Sequence, residues 1–513
     1  MKIANQLTAK HPSILAIVLC AMGCIPLSAL ATIYISNGSQ SDVSAKIASA
    51  IDGDTVTMPV GTFSWTGGVT ISGKGITLKG AGSGKIIGQS LSTVMVGTGT
   101  KTFTTSKSGL SVTTGQTLRI EHTGAIGDFM QGTITSYSGT TLVMNITSMG
   151  GSGSYGLWII STLPSTTIVH NAGNAVLITL FEDATNTVAL RDIQIVPGTG
   201  NGYSVSFSSI TNGKPVQIFD CWLRSTSSSS DLIHTDSNRG LIYKCSFDSS
   251  PFSMAPLAIH HKGAPASSWT SRSTMGMADT GGINNLYIED CDFHAWANAC
   301  DIDDSGRAVW RYNVMNNSGF GTHGADTSAY GARHYEIYNC EFIFMGVSGK
   351  VFNLNHWFYL RGGTGVITDN VLPDLNSQDY GNKAEIRATV MNLQRNGGPN
   401  ACWGANISGI QYPAPRQVGM GYVTGTAGND AITYKGDSEP LYIWGNSRPP
   451  AVAREEYGGT DCVSPDSTMD YIVAGRDFIE DGTKKPGYVK YTYPHPLRQG
   501  MPPNNAIVAI QLF

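Results

Sequence analysis

Residues 218–223 read IFDCWL, and residues 242–247 repeat the pattern as IYKCSF. In both, an apolar residue is followed three positions later by Cys and two positions after that by a second apolar residue. Four later copies have Cys or Asn at the central position: IEDCDF at 288–293, WRYNVM at 310–315, IYNCEF at 337–342 and ITDNVL at 367–372. The Cys or Asn positions are 24, 46, 22, 27 and 30 residues apart. This spacing predicts a solenoid, in which each coil buries its apolar face on its neighbours.

The repeated phrases have the composition of β-strands. They are short, lack a helical period and are separated by Gly, Asn, Ser and Asp. The chain has 513 residues, 61 Gly and only 14% charged residues, which fits an all-β protein with a large core and many tight turns. Because the Cys and Asn positions keep a fixed phase relative to Ile and Phe, we expect this column, including Cys245 and Cys291, to point inward.

The N-terminus has the pattern of a secretory signal peptide. Lys2 and Lys10 form the basic region, and residues 14–25 form the apolar stretch that follows it. Residues 29–31, Ala-Leu-Ala, match the small-x-small pattern of a cleavage site. We predict cleavage after residue 31 and a secreted or cell-surface protein, extracellular or periplasmic. A lipoprotein signal ending at Cys24 is the alternative. The apolar stretch is too short to anchor the chain, and no other apolar run is long enough to cross a bilayer.

The charge balance excludes one class of partner. Removing residues 1–31 takes away two of the 33 basic residues and none of the 37 acidic ones, which leaves a net charge of −6. An acidic chain without a basic stripe is not expected to bind nucleic acid.

The patterning divides the chain into five segments. They are 1–31, the signal peptide; 32–95, an N-terminal cap and first coils; 96–161, an inserted small all-β module; 162–372, the coils; and 373–513, a loop-rich C-terminal wrap. Within the second segment, residues 42–51 predict a helix capped by Asp42 that covers the open end of the solenoid. The inserted module is interpreted either as a sugar- or surface-binding unit or as a spacer packed on the solenoid.

Several motifs carry a resemblance to a known family. Residues 53–57, GDTVT, and 75–82, GITLKGAG, resemble the opening of secreted right-handed parallel β-helix proteins of the pectate-lyase-like superfamily. Residues 307–342 are similar to one bacterial branch of it, and the similarity continues in RGGTG at 361–365 and YTYPHPL at 491–497. It covers nearly the whole mature chain except 96–161. The resemblance implies a right-handed parallel β-helix, export and a polysaccharide partner.

Pectate lyases place acidic calcium ligands and a basic catalyst on one sheet of the helix. Their catalytic motif has no residue-by-residue match in this chain, so candidate residues come from aligning the coils. Asp236, Asp304 and Arg361 each lie six residues before their phrase. Stacked strands are about 5 Å apart, so we expect these side chains to share one face. A salt-bridge ladder without a catalytic role is the alternative.

Clustered carboxylates suit a hard cation, and we predict that Asp301, Asp303 and Asp304 hold calcium. His323 and Asp326 lie on a long connection between coils, where a histidine can act as a base or cap a turn. Glu336 is expected to face the same groove as a further catalytic candidate. The residues predicted to bind substrate are Arg307, Arg333 and Trp269, the last by stacking on a sugar ring.

These candidates predict a protein that binds and cleaves an extracellular polysaccharide. The leading reaction is β-elimination of a uronic-acid polymer, with Arg361 or His323 as the base. A non-catalytic adhesin or surface scaffold is one alternative. Another alternative is a glycoside hydrolase that uses two of four acidic residues, Asp303, Asp304, Asp326 and Glu336.

Overall fold

The computed structural model describes most of the chain between residues 31 and 499. The described residues are 31–123, 127–210, 212–226, 230–253, 257–263, 269, 271–276, 278–324, 331–344, 356–373, 386–388, 417–421, 438–450, 452–454 and 472–499. The predicted signal peptide, apart from residue 31, and Asp326 lie outside this part of the chain.

Each coil contributes strands to three parallel sheets, named here by the number of strands that the described residues form. The 12-stranded sheet contains Ile33–Ile35, Thr55–Thr57, Thr77–Lys79, Ala189–Arg191, Gln217–Phe219, Gly240–Tyr243, Leu286–Glu289, Arg307–Arg311, His334–Tyr338, Thr364–Thr368, Leu441–Trp444 and Phe478–Ile479. The eight-stranded sheet contains Gly61–Trp65, Thr166–His170, Gln194–Pro197, Trp222–Ser225, Ser246–Ser253, Asp292–Trp296, Val314–Asn316 and Glu341–Ile343. The ten-stranded sheet contains Val69–Ile71, Ile178–Phe181, Val205–Ser208, Ile233–Asp236, Ile259–Lys262, Cys300–Asp303, Phe320–Thr322, Phe358–Leu360, Ile386–Ala388 and Val452–Arg454. The fold is the predicted right-handed parallel β-helix.

The repeated phrase forms the corner between the 12-stranded and eight-stranded sheets. Its first apolar residue lies in a buried column that includes Ile242 and Ile288. The residue before each Cys or Asn has a left-handed φ, as at Lys244 (54°) and Asp290 (56°), and this bends the chain into the next sheet. The Cys and Asn side chains are buried, which confirms the inward orientation predicted for the column.

Asparagine at the corner position completes backbone hydrogen bonds of the preceding coil. The Asn313 side chain accepts from the backbone N–H of Cys291 and donates to the carbonyl of Ile288, both at 2.9 Å. Asn370 makes the same pair of bonds two coils further on, to Cys340 and Ile337. Buried backbone groups need hydrogen-bond partners, and Asn suits the corner because its side chain supplies them. Cys suits it as a small side chain that can be buried.

The N-terminal helix covers the first coils, as predicted, but it spans Gln40–Ser49 and not residues 42–51. Its N-cap is Ser39, whose hydroxyl accepts from the backbone N–H of Asp42 at 3.4 Å. Val43 and Ile47 face the core, whereas Ile51, the last residue of the predicted range, lies beyond the helix and is 56% exposed. Among the described residues, no helix is long and apolar enough to span a membrane.

The inserted module is a six-stranded antiparallel sheet with its own apolar core. Its strands are Ile86–Ser90, Gly99–Thr104, Thr117–His122, Phe129–Ser138, Thr141–Gly150 and Trp158–Thr162. The module packs on outward side chains of the eight-stranded sheet. Arg224 on that sheet donates to Glu121 at 2.5 Å, and His294 lies 2.6 Å from Gln89. This contact favours the interpretation of the module as a packed spacer.

The outer face of the 12-stranded sheet is covered by residues 488–499, which we call the C-terminal strap. Tyr491 and Leu497 join an apolar cluster with outward side chains such as Tyr287. Arg498 Nη1 lies 3.1 Å from Glu289 Oε1. Two of the three outer faces, those of the eight-stranded and 12-stranded sheets, therefore carry packed chain.

Candidate functional site

Polar and aromatic side chains form a row along the outer face of the ten-stranded sheet. The pairing of successive strands places one residue of each in the row. The members, which we call the outer row, are Ser206, His234, His260, Asp301, Gly321, Tyr359 and Arg387. Because neighbouring strands lie about 4.8 Å apart, the seven positions extend over about 29 Å. The row is thus long enough for several units of a polymer.

Three adjacent positions of the outer row have unused hydrogen-bonding capacity. His234 Nδ1, His260 Nε2 and Asp301 Oδ1 are buried and find no hydrogen-bond partner within the described residues. The other nitrogen of each imidazole faces a carboxylate, since His260 Nδ1 lies 3.1 Å from Asp231 and His234 Nε2 lies 3.5 Å from Asp236. Leaving such a buried atom unpaired costs about 1–3 kcal/mol. A ligand rich in hydroxyl groups suits this row.

A second column runs two residues further along the same strands. It contains Ser208, Asp236, Lys262 and Asp303. The expected column was wrong at one position, because Asp303 and not Asp304 is aligned with Asp236. The turn after Asp303 has one more residue than the turn after Asp236, and Asp304 bends away with a left-handed φ of 44°. Asp236 and Lys262 keep 53% and 30% of their side chains exposed, so this column borders solvent.

Asp301, His323 and Arg361 meet at one point, which we call the Asp301 cluster. Asp301 Oδ2 lies 2.6 Å from His323 Nδ1 and 2.7 Å from Arg361 Nη2. His323 directly follows the strand Phe320–Thr322, and Arg361 directly follows Phe358–Leu360. Arg361 Nε also donates to the carbonyl of Thr322 at 2.7 Å, which fixes the guanidinium. The structure therefore brings together the two predicted bases and one predicted metal ligand.

The charges of this cluster shift its pKa values in opposite directions. Burial opposes ionisation of Asp301, but Arg361 and His323 outweigh it and hold the pKa of Asp301 at about 2. Burial also disfavours the charged imidazole of His323, and the Asp301 carboxylate outweighs it, so the pKa of His323 is raised. Two positions along the strand, burial raises the pKa of Asp303. Neighbouring carboxyl groups thus differ in their tendency to ionise.

Two of the three predicted calcium ligands are paired with cationic side chains. Asp301 is held by two cationic side chains, Asp304 forms an ion pair with Lys262 at 3.3 Å, and Asp303 lies on the strand between them. In the described part of the chain, no group of three His, Cys, Asp or Glu side chains is placed to hold one metal ion. Calcium takes six to eight oxygen ligands, some of which are carbonyl groups or waters, and calcium binding by these residues stays a prediction.

Four predicted site residues lie away from the ten-stranded sheet, in or next to the 12-stranded sheet. Glu336 is buried beneath the C-terminal strap, where its Oε2 accepts from the Tyr488 hydroxyl at 2.6 Å. Arg333 is buried with its guanidinium 5.0 Å from the Trp269 ring, and Trp269 itself is fully buried. This placement contradicts the expected sugar contact of Trp269, because no ring face is exposed. Arg307 binds the backbone carbonyl of Arg272 at 2.8 Å.

Sequence reasoning did not single out His234 and His260, although they lie in the outer row. Three strands share the same alternation of inward and outward side chains, which would have identified these histidines. The strands are IHTD at 233–236, IHHK at 259–262 and CDID at 300–303. The second and fourth positions of each point outward, and the first and third point to the core. Stacking these strands directly, without counting from the distant phrase, places His234, His260 and Asp301 together.

Comparisons with known proteins add little to this geometry. No protein-family model matches the chain, and no curated protein matches it. Among solved structures it is similar to the Pseudomonas phage phi297 tailspike gp61, at 13% identity and a TM-score of 0.17, over 65% of this chain and 66% of that one. The tailspike protein gp49 from Pseudomonas phage LKA1 shows 12% identity and a TM-score of 0.16, over 66% of this chain and 60% of that one.

The chain thus spans just under two thirds of the first tailspike and three fifths of the second. Similarity at this level carries no argument about activity. The fold assignment rests on the three parallel sheets, and membership of the pectate-lyase-like superfamily stays a prediction.

Proposed function

We propose that this protein is exported and binds an extended acidic polysaccharide along the outer face of the ten-stranded sheet. The observation that supports this most is the outer row, in which His234, His260 and Asp301 have unused hydrogen-bonding atoms on three adjacent strands. Polysaccharides are rich in hydroxyl groups and bind to regularly spaced polar side chains. Lys262 and Arg387 lie on the same face, beside Asp236 and Asp303, and are the groups proposed to contact carboxylates of the polymer.

We further propose that the Asp301 cluster cleaves the polymer by β-elimination. In this reaction a base removes the proton from the carbon next to the uronate carboxylate, a carbon–carbon double bond forms as the bond to the leaving oxygen breaks, and that oxygen takes a proton from water. Arg361 would neutralise the uronate charge, and the neutral form of His323 would accept the proton. Asp301 would hold both groups in place through contacts of 2.6 and 2.7 Å. No metal ion is needed in this scheme.

Hydrolysis of a glycosidic bond is a second candidate, favoured by one specific observation. Asp301 and Asp303 lie two residues apart on one strand, the pKa of Asp301 is about 2, and burial raises the pKa of Asp303. A pair of carboxyl groups with separated pKa values is the arrangement in which one acts as the acid and the other as the base or nucleophile. Asp303 would then protonate the leaving oxygen.

A product assay separates these reactions. The purified protein is incubated with a panel of uronic-acid polymers and neutral glycans, with and without chelator. Elimination leaves an unsaturated sugar that absorbs in the ultraviolet, whereas hydrolysis yields only new reducing ends. We expect ultraviolet absorbance with at least one uronic-acid polymer and no loss of activity with chelator. New reducing ends without absorbance would establish hydrolysis, and binding without either product would establish an adhesin.

A further inference from the structure

A second group of polar side chains lies at the start of the strand His334–Tyr338, within the 12-stranded sheet. Ser273 Oγ is 2.6 Å from His334 Nδ1, and the opposite nitrogen of that ring, Nε2, is 3.4 Å from Glu336 Oε1 without forming a hydrogen bond to it. Serine, imidazole and carboxylate therefore follow one another in a line. His334 and Glu336 are fully buried, and Ser273 is partly exposed at the surface end of the line. None of these contacts is needed for the reaction at the Asp301 cluster.

Residues 271–273, which we call the serine segment, are held against the sheet by two arginine side chains. Arg333 Nε donates to the carbonyl of Ser271 at 2.9 Å, and Arg307 Nη1 donates to the carbonyl of Arg272 at 2.8 Å. The Ser273 hydroxyl accepts from the backbone N–H of Met275 at 3.3 Å, which leaves its proton directed to His334. At the other end, the Tyr488 hydroxyl binds Glu336 Oε2 at 2.6 Å and orients the carboxylate.

We propose that Ser273, His334 and Glu336 form a serine esterase site that acts on esters of small acyl groups. The ring of His334 presents Nδ1 to Ser273 and Nε2 to Glu336. Nδ1 can therefore take the proton of the serine, while the carboxylate stabilises the charged ring. Only the serine end is accessible, and a small acyl group such as acetyl needs the least space beside the enclosed imidazole. This proposal does not depend on the polysaccharide site.

The reaction balances with the groups present and water. Ser273 Oγ attacks the ester carbonyl carbon while its proton passes to His334 Nδ1. The bond to the alcohol oxygen breaks, the alcohol leaves with that proton, and an acyl-serine remains. Water then attacks the acyl carbon as His334 accepts its proton, the carboxylic acid is released and Ser273 is restored. Glu336 stabilises the imidazolium in both halves of the cycle.

Two features of the environment support these roles. Burial lowers the pKa of His334, which keeps the imidazole neutral and able to accept a proton at pH 7. Arg333 Nη1 is a buried donor without a hydrogen-bond partner within the described residues, on a guanidinium already bound to the serine segment. It is the candidate for stabilising the oxyanion that forms on the carbonyl oxygen.

Covalent labelling tests the proposal. The full-length protein is treated with a fluorophosphonate, which reacts with activated serines, and the adduct is located by peptide mass spectrometry. We expect an adduct on Ser273, and hydrolysis of p-nitrophenyl acetate that falls roughly hundredfold or more in Ser273→Ala and in His334→Gln. Ser64→Ala is the control, because Ser64 is an exposed serine that also contacts a side-chain amide, that of Asn171.

No adduct on the wild-type protein, an adduct on another serine, or unchanged ester hydrolysis in a folded Ser273→Ala variant would overturn the proposal. Mapping on the wild-type protein keeps the test valid if a variant fails to fold. The polysaccharide proposal has a different readout, the ultraviolet absorbance of cleaved polymer, so one proposal can fail without the other.

Discussion

Arg361 Nη2 lies 2.7 Å from Asp301 Oδ2, although the two residues are 60 positions apart in the chain. The bond joins the strand Cys300–Asp303 to the residue after the strand Phe358–Leu360, and a single strand of the ten-stranded sheet lies between the two. Both side chains are nearly buried, with 9% and 10% exposed. An ion pair in this position fixes a positive charge beside the middle of the outer row.

Replacing Arg361 by Gln should abolish cleavage and leave Asp301 as a buried carboxylate next to His323 alone. Breaking a buried ion pair from one side costs about 3 kcal/mol of unfolding free energy. The double variant Asp301→Asn/Arg361→Gln should regain part of this loss, because neither charge is then left unpaired. Denaturant unfolding followed by circular dichroism measures the unfolding free energy of the single and the double variant. Full activity in a folded Arg361→Gln variant would place the reaction elsewhere.

The stability of the protein should fall in acid partly through Asp301. The pKa of this residue is about 2 in the folded protein, below its ordinary value of 3.8, because Arg361 and His323 outweigh the effect of burial. A lowered carboxyl pKa stabilises the fold above the unfolded-state value, and this contribution disappears as the pH falls from about 4 to about 2. The difference corresponds to about 2 kcal/mol. Asp301→Asn should remove this part of the pH dependence, and an unchanged acid transition would contradict it.

Cleavage should become faster as the pH rises through the pKa of His323. Burial opposes protonation of His323, but Asp301 outweighs it and raises the pKa, so the neutral base becomes available only above the ordinary value of 6.5. The measurement is kcat/KM against pH on the polymer identified in the panel. In Asp301→Asn the profile should move to lower pH, because the carboxylate that stabilises the imidazolium is absent. A profile that stays in place would argue against His323 as the base.

The Cys column should be inaccessible to polar thiol reagents. Cys245 and Cys291 are each 1% exposed and lie at successive corners of the β-helix. Burial also raises the pKa of the Cys245 thiol well above its usual value, which further suppresses the reactive thiolate. Labelling followed by mass spectrometry should detect both residues only after unfolding. Rapid labelling of either in the native protein would show that the corner opens.

The fold followed from the sequence because its signal is local and repeated. Apolar residues such as Ile242 and Ile288 recur at a fixed distance from Cys or Asn. Each copy of the phrase therefore predicts the same bend between two strands. The prediction shifted the N-terminal helix by two residues because Asp42 and Ser39 are both good caps, and the contact that decides between them is a single hydrogen bond. Local propensity alone does not resolve such a choice.

The site was harder to predict because it depends on the number of residues in each turn. One additional residue after Asp303 moves Asp304 out of the column that contains Asp236. Trp269 and Glu336 were expected in a groove, but they are covered by chain that is distant in sequence, such as Tyr488 on Glu336. The sequence predicts alternation within a strand well, whereas it does not show which outer face another segment covers.

Affinity electrophoresis in gels that contain acidic polysaccharides tests the central claim most directly. Lys262→Ala removes a charge from the outer face of the ten-stranded sheet, and Lys484→Ala removes the same charge from an exposed position outside that sheet. We predict that at least one uronic-acid polymer retards the wild-type protein and Lys484→Ala equally, and that Lys262→Ala is retarded less. Equal retardation of all three proteins, or none by any polymer, would contradict binding at this face.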